Sequence, residues 1–404
     1  MTLDQLLRAT LQERRVAAAE IAPPAVSAGA AMLRRYPFPF LCALGIMDDT
    51  RGVTAEAFAD VRAAFATRGL ELGACASFDP ADHIFVGGAA ARALNDAGLL
   101  DGVAGLPPKG AEEGAALLAE AGLSPLAFAG GAPIAPAAPL AAAGVRYFTD
   151  DGFSARARFG TQYRVRTAGE VQAALSLANF DRFGLHGSAQ ATDLAAHAAA
   201  LPAPDRRELL FALWNRPLFG IGGLTAFRRF AGLEAPSAPT LPLQLRTSFL
   251  IELEAQGGLA IVQQRLGDFA LIGQAAAHEQ RRPAQVPVLD LHAAVALDEL
   301  ADLSRERVLV AAASRLLGWA DLTASLALEC REAESGWTIT VTPTRADLAL
   351  DLAALEGLAI CVPEGAPMVT VRAAGIAAPL AMERVPDPAN PGMDCLTLPW
   401  RSRA

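Results

Sequence analysis

Phe40 to Met47, FLCALGIM, is an apolar run long enough for a strand buried on both faces, and it stops abruptly at two adjacent carboxylates, Asp48 and Asp49. A helical pattern opens a few residues later, at Thr54, with Phe58, Val61, Ala64 and Phe65 on one face and Gly69 as its stop. Repetition of that unit leaves few architectures open. Parallel strands need crossovers, and helices are the usual crossovers.

The unit does repeat. Strands are expected at Leu70 to Phe78, His83 to Val86, Leu99 to Ala104, Pro125 to Ala129, Val145 to Phe148, Leu259 to Val262 and Val308 to Ala311. Helices are expected at Gly88 to Ala97, Ala111 to Ala121, around Pro139, Thr247 to Gln256, Leu289 to Leu303 and Ser314 to Leu328. Less regular ground between them suggests strands at Tyr163 to Arg166 and Ala173 to Phe180, a helix at Asp205 to Leu213 and a glycine-rich turn at Pro217 to Gly223. The fold expected is α/β, a (β/α) barrel over residues 38–328 with seven or eight parallel strands, complete or incomplete. Ahead of it, residues 1–37 read as a helical extension, amphipathic from Leu3 to Glu20. Past it, residues 329–404 switch to short alternating runs separated by Gly, Pro and Asp, the pattern of a small antiparallel β region. That region is expected to cover the barrel; with so few aromatics, a sugar-binding role for it is the weaker reading.

Composition narrows the function. A formal charge of −9 with no basic stripe argues against a nucleic-acid partner. Apolar stretches are interrupted before the roughly 18 residues a bilayer span needs, so no membrane span is expected. Five scattered cysteines, with no CxxC, indicate neither a zinc site nor a disulfide framework, and the default compartment is the cytoplasm. The segments at Val86 to Gly88 and Gly220 to Gly223 lack dinucleotide or Walker spacing, and no G-x-S-x-G elbow occurs.

Strand ends in α/β folds collect functional loops, so the carboxylates there are the first candidates. Asp48 and Asp49 can act as base, ligand or helix cap, and Asp150 and Asp151 repeat the device after a later strand, where a turn and cap is the plainer reading. The histidines, His83, His186, His197, His278 and His292, never fall at metal spacing such as HxxxH. His186 in RFGLHGS is the best placed of them for a pocket, against the more ordinary role of a satisfied loop or core histidine.

The order of units, the acidic pair after the first strand, the run EAQGGLAIVQQRLG at Glu254 to Gly267 and the segment Val308 to Leu326 together resemble the polysaccharide deacetylase superfamily of carbohydrate esterases. The resemblance covers about residues 38 to 330 and is closest to divergent bacterial members with a carboxy-terminal β region. It implies a barrel in which the first Asp is a general base and the second a metal ligand, completed by two histidines. Asp48 and Asp49 match that opening, with Thr50 in place of the usual Gly. The remaining ligands do not match. Gly98 to Gly110 holds Asp101 but no histidine, Ala104 and Gly105 offer no ligand, Phe128 to Ala132 reads FAGGA, and Arg265 stands where a histidine is implied. Arginine stays protonated at working pH and neither ligates a metal nor shuttles protons.

The expected function is thus a deacetylase-like protein that is catalytically degenerate, lacks a cofactor, and binds a carbohydrate or a protein of bacterial polysaccharide metabolism. Its candidate residues are Asp48, Asp49 and His186 for residual chemistry, and Asp101, Asp150, Asp151 and Arg265 for substrate contact. The alternative is an active hydrolase of acetylated carbohydrates with a rebuilt site, either using His186 or holding one divalent metal ion among Asp48, Asp49, Asp101 and Asp150. A purely structural subunit is the third reading.

Overall fold

The structure, a computed structural model, describes residues 27–28, 31–107, 110–129, 138–150, 220–221, 224–228, 241–245, 250–251, 253–254, 257–267, 291–334 and 336–403. The helix expected over Leu3 to Glu20, the strands near Tyr163 and Ala173, the helix at Asp205, and the candidates Asp151 and His186 lie outside the described residues.

Two short strands come first, β1 (Ser27–Ala28) and β2 (Ala31–Leu33). The main sheet then begins with β3 (Cys42–Asp49), buried at every position. It continues through β4 (Gly73–Ser77), β5 (Leu100–Ala104), β6 (Ala127–Ala129), β7 (Tyr147–Asp150), the hairpin β8 (Gly220–Ile221) and β9 (Leu224–Arg228), β10 (Leu259–Gln264) and β11 (Val308–Val310). The order is β10-β3-β4-β5-β6-β7-β9-β8. Every pairing is parallel except β8 with β9. Among the described residues no pairing joins β10 to the β8–β9 end, and the described strands form a largely parallel path.

β3 is the hub. β10 runs along one edge of it, from Ala43 to Asp48, while the other edge is divided between β11 at Cys42 to Leu44 and β4 at Met47 to Asp49. One strand therefore holds three neighbours.

Helices α1 (Ala55–Ala66), α2 (Ala89–Ala97), α3 (Ala111–Ala121), α4 (Ala138–Ala142), α5 (Leu241–Gln244) and α6 (Leu291–Leu303) carry the crossovers. Thr54 caps α1 by accepting from the Ala57 amide, 3.2 Å away. Strand alternation sends Cys42, Leu44 and Ile46 into a core with Val61 and Phe65 of α1 and Ala293, Leu297 and Leu300 of α6. The other face of β3 meets α7 (Ala313–Ala324). Ala43, Met47, Cys75, Ala104, Ala127, Leu259 and Ile261 pack there with Ala313, Leu316 and Leu317. Small side chains let the helix lie close. A Cβ on Gly45 would sit 2.9 Å from Ile261 Cδ1 and 3.2 Å from Ala313 Cα. The alanine-rich composition is thus used where a helix docks flat on a sheet.

The carboxy-terminal strands are β12 (Leu326–Ala333), β13 (Gly336–Pro343), β14 (Ala359–Pro363), β15 (Val369–Ala373), β16 (Glu383–Pro386) and β17 (Met393–Thr397). They form two sheets, β1-β2-β14-β17-β16 and β12-β13-β15, over a shared core with Trp319 and Leu322 of α7.

Several boundaries depart from the expectation. His83 to Val86 forms no strand and makes a single bridge, Phe85 to Ser77, because Gly87 and Gly88 follow too soon for a ladder to extend. Leu326 to Leu328 belongs to β12 and not to the last helix, since α7 closes at Ser325. The carboxy-terminal region is not wholly antiparallel, as β13 and β15 are parallel. The described part of the amino-terminal extension is two short strands and a bend, with no helix: β2 pairs with β14, and Arg34 makes a buried 3.0 Å ion pair with Asp387.

Candidate functional site

The strand ends at β3 and β10 gather the residues with the most chemistry. Asp48 and Asp49 are consecutive in an extended strand, so their side chains leave on opposite faces. Asp48 follows Ile46 toward the α1 and α6 side. Its Oδ1 accepts the Leu266 backbone amide at 2.8 Å, tying the end of β3 to the turn after β10. Asp49 follows Met47 onto the α7 face, where Arg51 grips it: Nε to Oδ1 is 2.9 Å and Nη2 to Oδ2 is 2.5 Å, with the Arg51 amide donating to Oδ1 at 3.2 Å. The Asp49–Arg51 pairing is the two-pronged geometry that arginine favours with carboxylates.

That grip sets the electrostatics. Burial pushes the Asp49 carboxyl up, but the hydrogen bonds and charge of Arg51, with a smaller contribution from Arg265, leave it below its ordinary value. Asp49 is therefore a stable anion and a weak base at neutral pH. Arg51 is half exposed, and its Nη1 faces Gly105 at the end of β5, where a Cβ would lie 3.7 Å away. The exposed Arg265 donates from Nη2 to the Arg51 carbonyl at 3.1 Å. Thr50 donates its hydroxyl to the Cys75 carbonyl at 2.7 Å, and the Gly52 amide donates to Asp82 at 2.8 Å, so the turn carrying Arg51 is pinned to β4 and to the loop after it.

Asp101 is a separate matter. The β4–β5 register shifts between Ala74 and Cys75, leaving Asp101 as the extra residue of β5. It is fully buried over Gly73, where a Cβ would meet the carboxylate at 2.0 Å. Its Oδ1 accepts the Ser314 amide at 2.8 Å in the first turn of α7. Glu71 caps the same helix, Oε1 accepting the Ala312 amide at 2.7 Å and Oε2 pairing with Arg315 at 2.5 Å. Arg315 also lies 4.1 Å from the Trp400 ring centroid. Burial pushes the Asp101 carboxyl up to about 8, opposed by the Ser314 amide and hydroxyl and reinforced by Glu71. This is a structural cluster holding the start of α7.

Of the sequence candidates, the strand ends bring together Asp49 and Arg265, with Asp48 beside them but facing away. Asp101 is turned to α7. Asp150 ends β7, four strands along the sheet from β3, about 19 Å at ordinary strand spacing. Asp48, Asp49 and Asp101 thus point to three different surroundings and share no common ion position. Among the described residues no group of three or more His, Cys, Asp or Glu side chains is placed to hold a metal ion. Sequence reasoning missed Arg51, whose only signal is its position two residues after Asp49, and it missed Glu71 and Arg315, which are far apart in sequence. No helix among the described residues is long and apolar enough to cross a membrane.

No family model matches the chain, and no curated protein does. Among solved structures it aligns with the YdjI aldolase from Escherichia coli K12, at 10% identity over 66% of this chain and 89% of that one, with a TM-score of 0.23. A superposition that loose supports no conclusion about activity. What stands is the coarser architecture, mixed α/β with a parallel sheet and separate, largely antiparallel sheets.

Proposed function

We propose that the chain is a polysaccharide deacetylase-like protein whose hydrolytic site has become a binding site, serving a carbohydrate or a protein of bacterial polysaccharide metabolism in the cytoplasm. The observation that carries this reading is the Asp49–Arg51 ion pair. A guanidinium occupies both oxygens of the carboxylate that the resemblance assigns to a metal, and a second arginine, Arg265, stands where it implies a histidine. Such a rim offers the guanidinium donors of Arg51 and Arg265 to hydroxyl, amide carbonyl or carboxylate oxygens of a sugar.

The test is calorimetric titration with acetylated and deacetylated chito-oligosaccharides, run beside an acetate-release assay with added zinc or magnesium. The expected result is saccharide binding that Arg51→Ala abolishes, with no acetate released. Metal-dependent acetate release that disappears in Asp49→Ala would replace this reading with the rebuilt hydrolase.

A further inference from the structure

Away from the strand-end rim, two cysteines face each other inside the carboxy-terminal sheet. Cys361 on β14 and Cys395 on β17 are direct cross-strand partners, both fully buried. The backbone bonds on either side fix the kind of pair. Leu398 donates to Leu358 and Glu364 donates to Gly392, so the hydrogen-bonded pairs are the even-numbered ones and Cys361–Cys395 is a non-hydrogen-bonded pair. Such pairs bring Cα atoms to about 4.5 Å with side chains on the same face, inside the range of roughly 4.4–6.8 Å that a disulfide spans.

The surroundings accommodate loss of the thiol hydrogens. Cys361 Sγ donates to Asp387 Oδ2 at 3.3 Å, yet that carboxylate keeps Arg34 at 3.0 Å, the Asn390 side chain at 2.8 Å and the Ala389 amide at 3.0 Å. Cys395 Sγ makes a long contact, 3.8 Å, with the Leu396 carbonyl and otherwise interacts with Cys361 itself. No buried partner is orphaned when both S–H groups go.

We propose that Cys361 and Cys395 are a dithiol pair that closes to a cross-strand disulfide under oxidation, fastening β14 to β17. The oxidant is a small disulfide such as oxidised glutathione. One cysteine thiolate attacks it, expelling a glutathione thiolate; the other then attacks the mixed disulfide and releases the second glutathione. One S–S bond is exchanged for another, two protein S–H protons pass to solvent, and the two protein sulfurs are oxidised as glutathione is reduced. In the folded protein the Cys361 thiol is pushed up by its hydrogen bond with Cys395, by burial and by the charge of Asp387, so exchange belongs to moments when the strands part or first pair.

The test is refolding of the full chain from urea in a glutathione redox buffer, followed by thiol counting, alkylation and peptide mapping without reductant. The expected outcome is loss of two of the five thiols, a single linked peptide pair containing Cys361 and Cys395, and a higher urea midpoint than for the reduced protein. Full retention of both thiols in excess oxidised glutathione overturns the proposal, as does linkage to Cys42, Cys75 or Cys330. A Cys361–Cys395 link that forms only with loss of the cooperative urea transition also overturns it. The wild-type map decides the matter even where a cysteine variant fails to fold.

Discussion

Asp48 and Asp49 are neighbours in sequence and strangers in space: one carboxylate accepts the Leu266 amide on the α6 side of β3, and the other is clasped by Arg51 on the α7 side. The two therefore answer differently to substitution.

Asp48→Ala removes the acceptor that ties the end of β3 to the turn after β10, leaving the Leu266 amide buried without it. The expected loss is about 1–3 kcal/mol of stability, read as a lower urea midpoint. Saccharide binding per folded molecule should be little changed.

Asp49 supplies an acid-sensitive contribution. Its folded pKa lies below the ordinary 3.8, so the stability it provides is present above that value and lost as pH falls through the folded pKa. Arg51→Gln should raise the pH at which the protein unfolds in acid. Because Arg51 is half exposed but the Asp49 carboxylate left behind is buried, the loss at neutral pH should be about 1–3 kcal/mol.

Asp101 behaves in the opposite sense. Burial pushes its carboxyl from 3.8 up to about 8, so the folded protein keeps a proton that the unfolded chain releases. Stability from this group falls as pH rises from about 4 to about 8 and levels off above that. Asp101→Asn keeps an acceptor for the Ser314 amide and cannot ionise. Urea midpoints at pH 5 and pH 9 should show the variant gaining on wild type at the higher pH, by an amount on the order of a few kcal/mol.

Gly73→Ala places a methyl group where the Asp101 carboxylate lies, 2.0–2.3 Å from its atoms. Displacement of a buried acid from the start of α7 should destabilise the fold by roughly 1–3 kcal/mol, seen as a lower melting temperature. The control is Gly52→Ala, where nothing lies within 4 Å and only the positive φ of 73° opposes the change.

Much of this was legible in the sequence. The run Phe40 to Met47 announced a strand buried on both faces, and the strand and helix periods downstream placed most of the described elements within a few residues. What could not be read was pairing across long separations. Nothing local in Arg34 points to Asp387, nor in Glu71 to Arg315, because those contacts exist only once the sheet has assembled. The acidic pair misled for a simpler reason. Adjacency in sequence suggested a shared site, while the strand period of two sends adjacent side chains apart.

The pairing of β2 with β14 bears on how the protein is made. Arg34 and Asp387 are separated by 353 positions, so the first-synthesised partner of that ion pair must wait for that length of chain to be made before the second is available. The parallel sheet can begin to assemble while the chain is still growing, but the five-stranded sheet holding β2 cannot be completed until β14 and β17 have left the ribosome. Folding therefore includes a late closure that joins an early segment to a much later one, and until then the edge of β2 away from β1 waits for its partner strand.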